Sequence, residues 1–152
     1  MTKDFFVQEI EEASGMLYRV AFTILKNNDT CRDALQDTAL RAWERRATLR
    51  DERFFRTWIT RILINVCHDT LRKQKRLLLL TAASEPSAPP PDLTPNMVLN
   101  TLPEPLRLPL ILCYMEGMSY EEAAAALHLP LTTLRSRIHR AKAVLKKELN
   151  AE

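Results

Sequence analysis

The prolines constrain the architecture more than any other residue type. Five of the nine fall within "LTAASEPSAPPPDLTP", residues 80–95, a stretch with no aromatic side chain. Proline lacks a backbone donor and its ring clashes with the carbonyl four residues earlier, so this stretch cannot carry a helix. Its apolar content is too small to fold alone, and it reads as a partly extended Pro-rich linker. The linker is assigned to residues 77–95, between domains at 1–76 and 96–152. Fully extended at about 3.1 Å per residue, the segment from Leu80 to Pro95 reaches on the order of 50 Å, enough for both domains to touch one long ligand.

Both flanks read as helical. Only Gly15 and Gly117 interrupt 152 residues, which disfavours a turn-rich β fold, and the 46% hydrophobic content argues for packed structure. The expected fold class is therefore all-α, in two small helical domains. In "RDALQDTALRAWERRA" the residues Leu35, Ala39, Ala42 and Trp43 make one apolar stripe, expected to be core. Asp33, Gln36, Asp37 and Leu40 gather on the far side, an acidic surface holding one leucine. In "RDERFFRTWITRILINVCHDTLRKQKR" a second stripe, Phe55, Trp58, Ile62 and Val66, is flanked by many arginines and lysines. Rings beside guanidinium groups suit single-stranded nucleic acid, since bases stack and phosphates are held. Trp58 is nonetheless expected in the core, and Phe54 in a loop at the mouth of the helix.

The second domain carries a more specific pattern. Ser119 followed by Glu122 is a capping box, which starts a short Ala-rich helix. That helix should end near His128, and Pro130 with Thr132 or Thr133 should start another. In "LTTLRSRIHRAKAVLKKEL" the residues Leu134, Ile138, Ala141 and Leu145 share one face. Thr132, Ser136, His139 and Arg140 lie opposite, with Thr133, Arg135 and Arg137 on the flanks. Such a helix can enter a major groove, short polar side chains toward base edges and basic ones toward phosphates. Lys142 and Lys146 are expected among the phosphate contacts.

Charge alternates along the chain in step with this division. Residues 41–76 carry 11 Lys/Arg against 4 Asp/Glu and residues 130–152 carry 6 against 2, whereas residues 1–40 and 77–129 are acidic. Two basic blocks suit contact with a polyanion at two places. Cys31, Cys67 and Cys113 are odd in number and set in apolar patterns, so buried thiols are expected and a disulfide framework is not. No apolar run is long enough for a membrane span, and the acidic start "MTKDFFVQEIEEASG" is unlike a signal peptide, so a cytoplasmic location is expected.

"LYRVAFTILKN", "DALQDTALRAW", "FRTWITRILIN" and "LPEPLRLPLILCYMEGMSYEEAAAALHLPLTTLRSRIHRAKAVL" resemble, in order and spacing, the two domains of bacterial extracytoplasmic-function (ECF) sigma factors. The resemblance implies a subunit that binds core RNA polymerase and directs promoter-specific transcription initiation. It implies that the first domain is a region 2 bundle whose Asp33, Gln36, Asp37 and Leu40 dock on polymerase. Arg53, Phe54, Arg56, Arg61 and Asn65 would engage the −10 element. In a region 4 helix-turn-helix, Thr132, Thr133, Ser136, Arg137, His139 and Arg140 would read the −35 element. Promoter DNA and core polymerase are the implied partners, with an anti-sigma factor beside them and no cofactor. The chain departs from the family at His128, where Gly is usual, and at Leu131, Thr132 and Thr133, which stand for Val-Gly-Thr. A slightly strained turn is expected at His128. Pro109 falls inside a normally continuous helix, which should kink there or begin near Leu108.

Two rival readings remain. An enzyme using His68, His128, His139 and the cysteines would need a metal or nucleophile motif, and the sequence has no H-E-x-x-H, P-loop or paired C-x-x-C. A regulator binding duplex DNA through the helix-turn-helix alone would have no use for the acidic helix or the "FRTWITRI" block.

Overall fold

A computed structural model describes residues 1–81 and 97–150, in which every regular element is helical. The chain divides into two compact units, Met1–Pro90 and Pro91–Glu152.

The first unit is a three-helix bundle of α1 (Lys3–Leu25), α2 (Asn28–Glu44) and α3 (Phe55–Thr81), each packed on the other two. Thr2 caps α1 by accepting from the Phe5 amide, and Asn27 caps α2 by accepting from that of Thr30. Two 3₁₀ turns, Arg46–Thr48 and Glu52–Phe54, join α2 to α3. Val20, Ala21, Cys31, Ala34, Ala42, Ile59, Leu63 and Cys67 form the bundle core. Phe6 and Phe55 close one end of it, their rings in contact with Trp43 and Trp58 respectively. Thr38 and Thr60 are buried as well, and each hydroxyl is satisfied by the carbonyl one turn back, of Ala34 and Arg56.

Three expectations are corrected here. The core stripe of α2 is Cys31, Ala34, Thr38 and Ala42, while Leu35, Ala39 and Trp43 are half-buried. Two neighbouring helices meet α2, and the face between them centres on small residues that allow close approach. Trp58 is also half-buried; its indole Nε1 donates to Thr48 Oγ1 at 3.0 Å, holding the first 3₁₀ turn against α3. Finally, α3 runs through Thr81, so residues 77–81 are helical rather than linker. Leucine is a strong helix former and no proline precedes Pro86, so the helix started in the core propagates outward. The remainder of the assigned linker, 82–95, lies outside the described residues, as does its reach.

The second unit contains α4 (Met97–Asn100), α5 (Glu104–Leu110), a π-helical turn (Ile111–Met115), α6 (Tyr120–Leu127) and α7 (Leu131–Asn150). Leu102, Leu108, Leu112, Met118, Ala123, Ala126, Leu134, Ile138 and Ala141 fill its core. Arg107 is buried too, and donates from Nη1 to the Leu102 carbonyl; loss of hydration lowers its affinity for the proton, opposed by Glu104. The helix with Pro109 starts at Glu104, not near Leu108: Pro105 occupies its first turn and Pro109 its interior. Immediately afterward the ladder changes register, Glu116 N–H reaching Ile111 C=O. A π turn of this kind takes up a residue that an α ladder would not.

The capping box is present in full. Ser119 Oγ accepts from the Glu122 amide at 3.1 Å, and Glu122 Oε1 accepts from the Ser119 amide at 3.0 Å. At the other end His128 adopts φ 57°, ψ 48°, the left-handed conformation in which Gly would be at ease. Its amide reaches Ala125 C=O and the Leu129 amide reaches Ala124 C=O, closing α6 in a Schellman arrangement. Helix, tight turn, helix is the outcome.

Candidate nucleic-acid interface

Helix α7 is aimed by its apolar stripe. Leu134, Ile138 and Ala141 are buried and Leu145 is half-buried, because the helix runs on beyond its packing partners. That anchorage leaves Thr132, Ser136, His139 and Arg140 exposed together, within about 100° of one another around the axis. Thr133 and Arg137 are half-buried on one flank, and Arg135 is exposed on the other. The exposed set therefore has small hydroxyls at its N-terminal end and cations further along.

Lys142, exposed on α7, has a partner that its spacing did not indicate. Its ammonium lies 4.5 Å from the centre of the Tyr114 ring, on the π turn. Tyr114 and Tyr120 are hydrogen-bonded through their hydroxyls at 3.0 Å. The bond from Lys142, then that from Tyr120, lowers the Tyr114 phenol below its ordinary range, and the Lys142 ammonium is correspondingly held above its own. The bond to Tyr114 raises Tyr120. These three side chains tie α6, α7 and the π turn together at the surface. Sequence spacing gave no sign of them, since the contact joins residues 28 apart across a turn of unexpected geometry. Lys146 remains exposed.

In the first unit the candidate residues divide into three places. Arg61 and Asn65, one turn apart on α3, are exposed side by side. Arg56 is exposed about 140° further round the same helix. Arg53 and Phe54 stand on the 3₁₀ turn before it, Phe54 with 56% of its surface in solvent. Arg53 folds back on Asp51, with Nη2 2.7 Å from Oδ2, and its guanidinium lies 5.9 Å from the Phe54 ring centre. The Arg53 bond holds the Asp51 carboxyl below the usual range. An exposed ring beside a fixed guanidinium is a surface on which an unstacked base can sit. The Asp51–Arg53 pair was not foreseen, although an Asp two residues ahead of an Arg at a helix entrance is a recognisable cap.

On α2 the residues Asp33, Gln36, Asp37 and Leu40 are all exposed, Leu40 to 64%. Arg41, next to them, is half-buried and turned to α3, where Nη1 meets Asp69 Oδ2 at 3.1 Å. That bond is the main cause of the low proton affinity of Asp69, to which Arg72 adds. Arg46 lies 4.0 Å over the Trp43 ring. The described residues contain no group of three or more His, Cys, Asp and Glu side chains able to hold a metal. Cys31 and Cys67 are buried and Cys113 half-buried, and burial pushes Cys31 and Cys113 up in pKa.

Among the described residues both units are helical, with a helix-turn-helix in the second and a basic, aromatic helix entrance in the first, an arrangement suited to binding nucleic acid. Residues 10–77 match the Sigma-70 region 2 family and residues 96–145 the Sigma-70 region 4 family. RNA polymerase sigma-E factor of Streptomyces coelicolor is 30% identical, over 96% of this chain and 86% of its own length. RNA polymerase sigma factor SigV of Bacillus subtilis is 28% identical over 99% of this chain and 95% of its own. ECF RNA polymerase sigma factor SigE of Mycolicibacterium smegmatis is 29% identical over 90% of this chain, which spans 58% of that longer relative. Among solved structures, the sigma factor RpoE in complex with the anti-sigma factor NepR, from Bartonella quintana, aligns with a TM-score of 0.81 at 27% identity, covering 99% of both chains. CnrH in complex with the cytosolic domain of CnrY gives 0.71 at 30% identity, over 97% of this chain and 88% of that one. The chain belongs to the extracytoplasmic-function family of RNA polymerase sigma factors. The rival reading, a regulator acting through its helix-turn-helix alone, leaves the region 2 match without a role.

Proposed function

We propose that this chain is a non-catalytic specificity subunit that docks on core RNA polymerase through α2 and brings it to promoters carrying matched −10 and −35 elements. The observation that carries the docking assignment is the exposure of Asp33, Gln36, Asp37 and Leu40 together in the unit that matches region 2. A leucine left 64% exposed amid carboxylates has a use in a partner's surface rather than in the bundle. Arg53, Phe54, Arg56, Arg61 and Asn65 engage the −10 element. Phe54 and Arg53 meet the displaced base, and Arg61 with Asn65 follows the backbone. Thr132, Thr133, Ser136, Arg137, His139 and Arg140 read the −35 element, with the exposed four foremost. The domains are residues 1–76 and 96–152, and the linker of 77–95 is shortened by the helical residues 77–81. The protein works in the cytoplasm, and an anti-sigma protein is a further partner, as NepR is of RpoE in the solved structure from Bartonella quintana.

The test is capture of core polymerase by Asp33→Arg/Asp37→Arg protein, with transcription from a promoter library as a second measure. Capture should fall sharply while folding is retained, because exposed charges contribute little to stability. Undiminished capture would refute the docking assignment.

A further inference from the structure

The C-terminal end of α3 is accounted for neither by the bundle nor by the proposed interfaces. The last buried residue of the helix is Cys67, and every residue from Arg72 to Thr81 is exposed. Ten residues at a rise of 1.5 Å extend about 15 Å beyond the packed part of the bundle. This projecting end has two zones. Lys73, Lys75 and Arg76 form a basic collar, and beyond them Leu77, Leu78, Leu79 and Leu80 are 61%, 40%, 77% and 77% exposed. No carboxylate lies in α3 beyond Asp69, which is already engaged by Arg41 and Arg72.

Four consecutive residues on a helix are spaced 100° apart, so these leucines point in every direction around the axis. A groove on a protein partner covers one stripe of a helix and would leave the remaining leucines in water. A helix that is apolar all round instead matches a medium that surrounds it. The leucine zone is about 6 Å long, comparable to the 5–10 Å depth at which interfacial helices seat their apolar groups. The collar sits one turn behind, where a lipid headgroup layer would lie, and it is cationic where anionic headgroups are anionic.

We propose that the end of α3 is a peripheral membrane anchor, its four leucines entering an anionic lipid surface and Lys73, Lys75 and Arg76 contacting the headgroups. The attachment is weak and reversible, because four side chains and three charges fall far short of a spanning segment. It depends on both components: the leucines supply insertion, and the collar supplies preference for anionic lipid.

The experiment is flotation of the full-length protein with phosphatidylcholine vesicles containing about one third phosphatidylglycerol, against vesicles of phosphatidylcholine alone. The parent protein should partition onto the anionic vesicles and not measurably onto the neutral ones. Lys75→Gln should lower that partition roughly fivefold, the effect of one basic residue near an anionic surface. Leu79→Ser/Leu80→Ser should lower it at least about tenfold, as two leucines no longer leave water. Circular dichroism should be unchanged in both, since the substituted side chains are exposed. Equal partition of the parent and the leucine variant would show simple attraction of a basic protein and overturn the proposal. Absence of partition onto anionic vesicles, with the leucine variant instead losing affinity for core polymerase, would show that the leucines seat in a protein and would overturn it equally.

Discussion

The turn of the helix-turn-helix holds a histidine in a conformation suited to glycine, and this predicts that His128→Gly stabilises the second unit. His128 sits at φ 57°, ψ 48°, exposed, with its amide already bonded within the turn. A Cβ in the left-handed region crowds the following carbonyl at a cost of about 1–2 kcal/mol, at the lower end for His. Glycine removes that cost but frees the unfolded chain, which returns about 0.5–1 kcal/mol. The expected net gain is up to about 0.5 kcal/mol, or a rise of up to about 4 °C in the transition of a unit this size. His128→Val, β-branched and poorly tolerated at positive φ, should lower the same transition. Thermal unfolding of the full chain by far-ultraviolet circular dichroism measures both. Trp43 and Trp58 both lie in the first unit, so a transition seen by dichroism without change in tryptophan fluorescence belongs to the second. If the glycine variant melts no higher than the parent and the valine variant no lower, the backbone at His128 is unstrained and the reasoning fails.

Asp69, held below the usual carboxylate range by Arg41, contributes stability that is present above its unfolded pKa of about 3.9 and is lost as pH falls through the lower folded value. Asp69→Asn should therefore be less stable than the parent at neutral pH, with the gap closing in acid; a gap that persists unchanged at low pH would contradict this. Trp58→Phe, which keeps the ring contact with Phe55 but loses the bond to Thr48, should cost about 1 kcal/mol in urea denaturation, and no cost would mean the bond is idle. Ser136→Ala should change the −35 sequence recovered in binding-site selection, at about 1–3 kcal/mol per lost base contact, whereas Lys146→Gln should weaken all sequences alike and reduce the salt dependence. Identical selected sequences from the parent and Ser136→Ala would remove Ser136 from the reading set.

Local rules determined a good deal of this protein in advance. The Ser119/Glu122 box, the break near His128 and the Leu134/Ile138/Ala141 stripe were legible because each depends on residues within a turn or two of one another. Helix α7 is anchored on one side, so the opposite face had to carry the candidate reading residues. The exposure of Asp33, Gln36, Asp37 and Leu40 followed from periodicity in the same way. Tertiary structure decided what periodicity could not. On α2 it kept Ala42 of the expected Leu35/Ala39/Ala42/Trp43 stripe and moved the rest of the buried face to Cys31/Ala34/Thr38, because two partner helices select which part of a broad face is closest. It carried α3 five residues past the assigned boundary, since a helix already nucleated in a core extends at little cost until a breaker is met. It also turned Lys142 onto Tyr114 and Trp58 onto Thr48, contacts between separate elements whose approach depends on turns rather than on spacing. A sequence read by its periods shows which way each helix faces; which neighbour meets that face is set by how the chain returns to it.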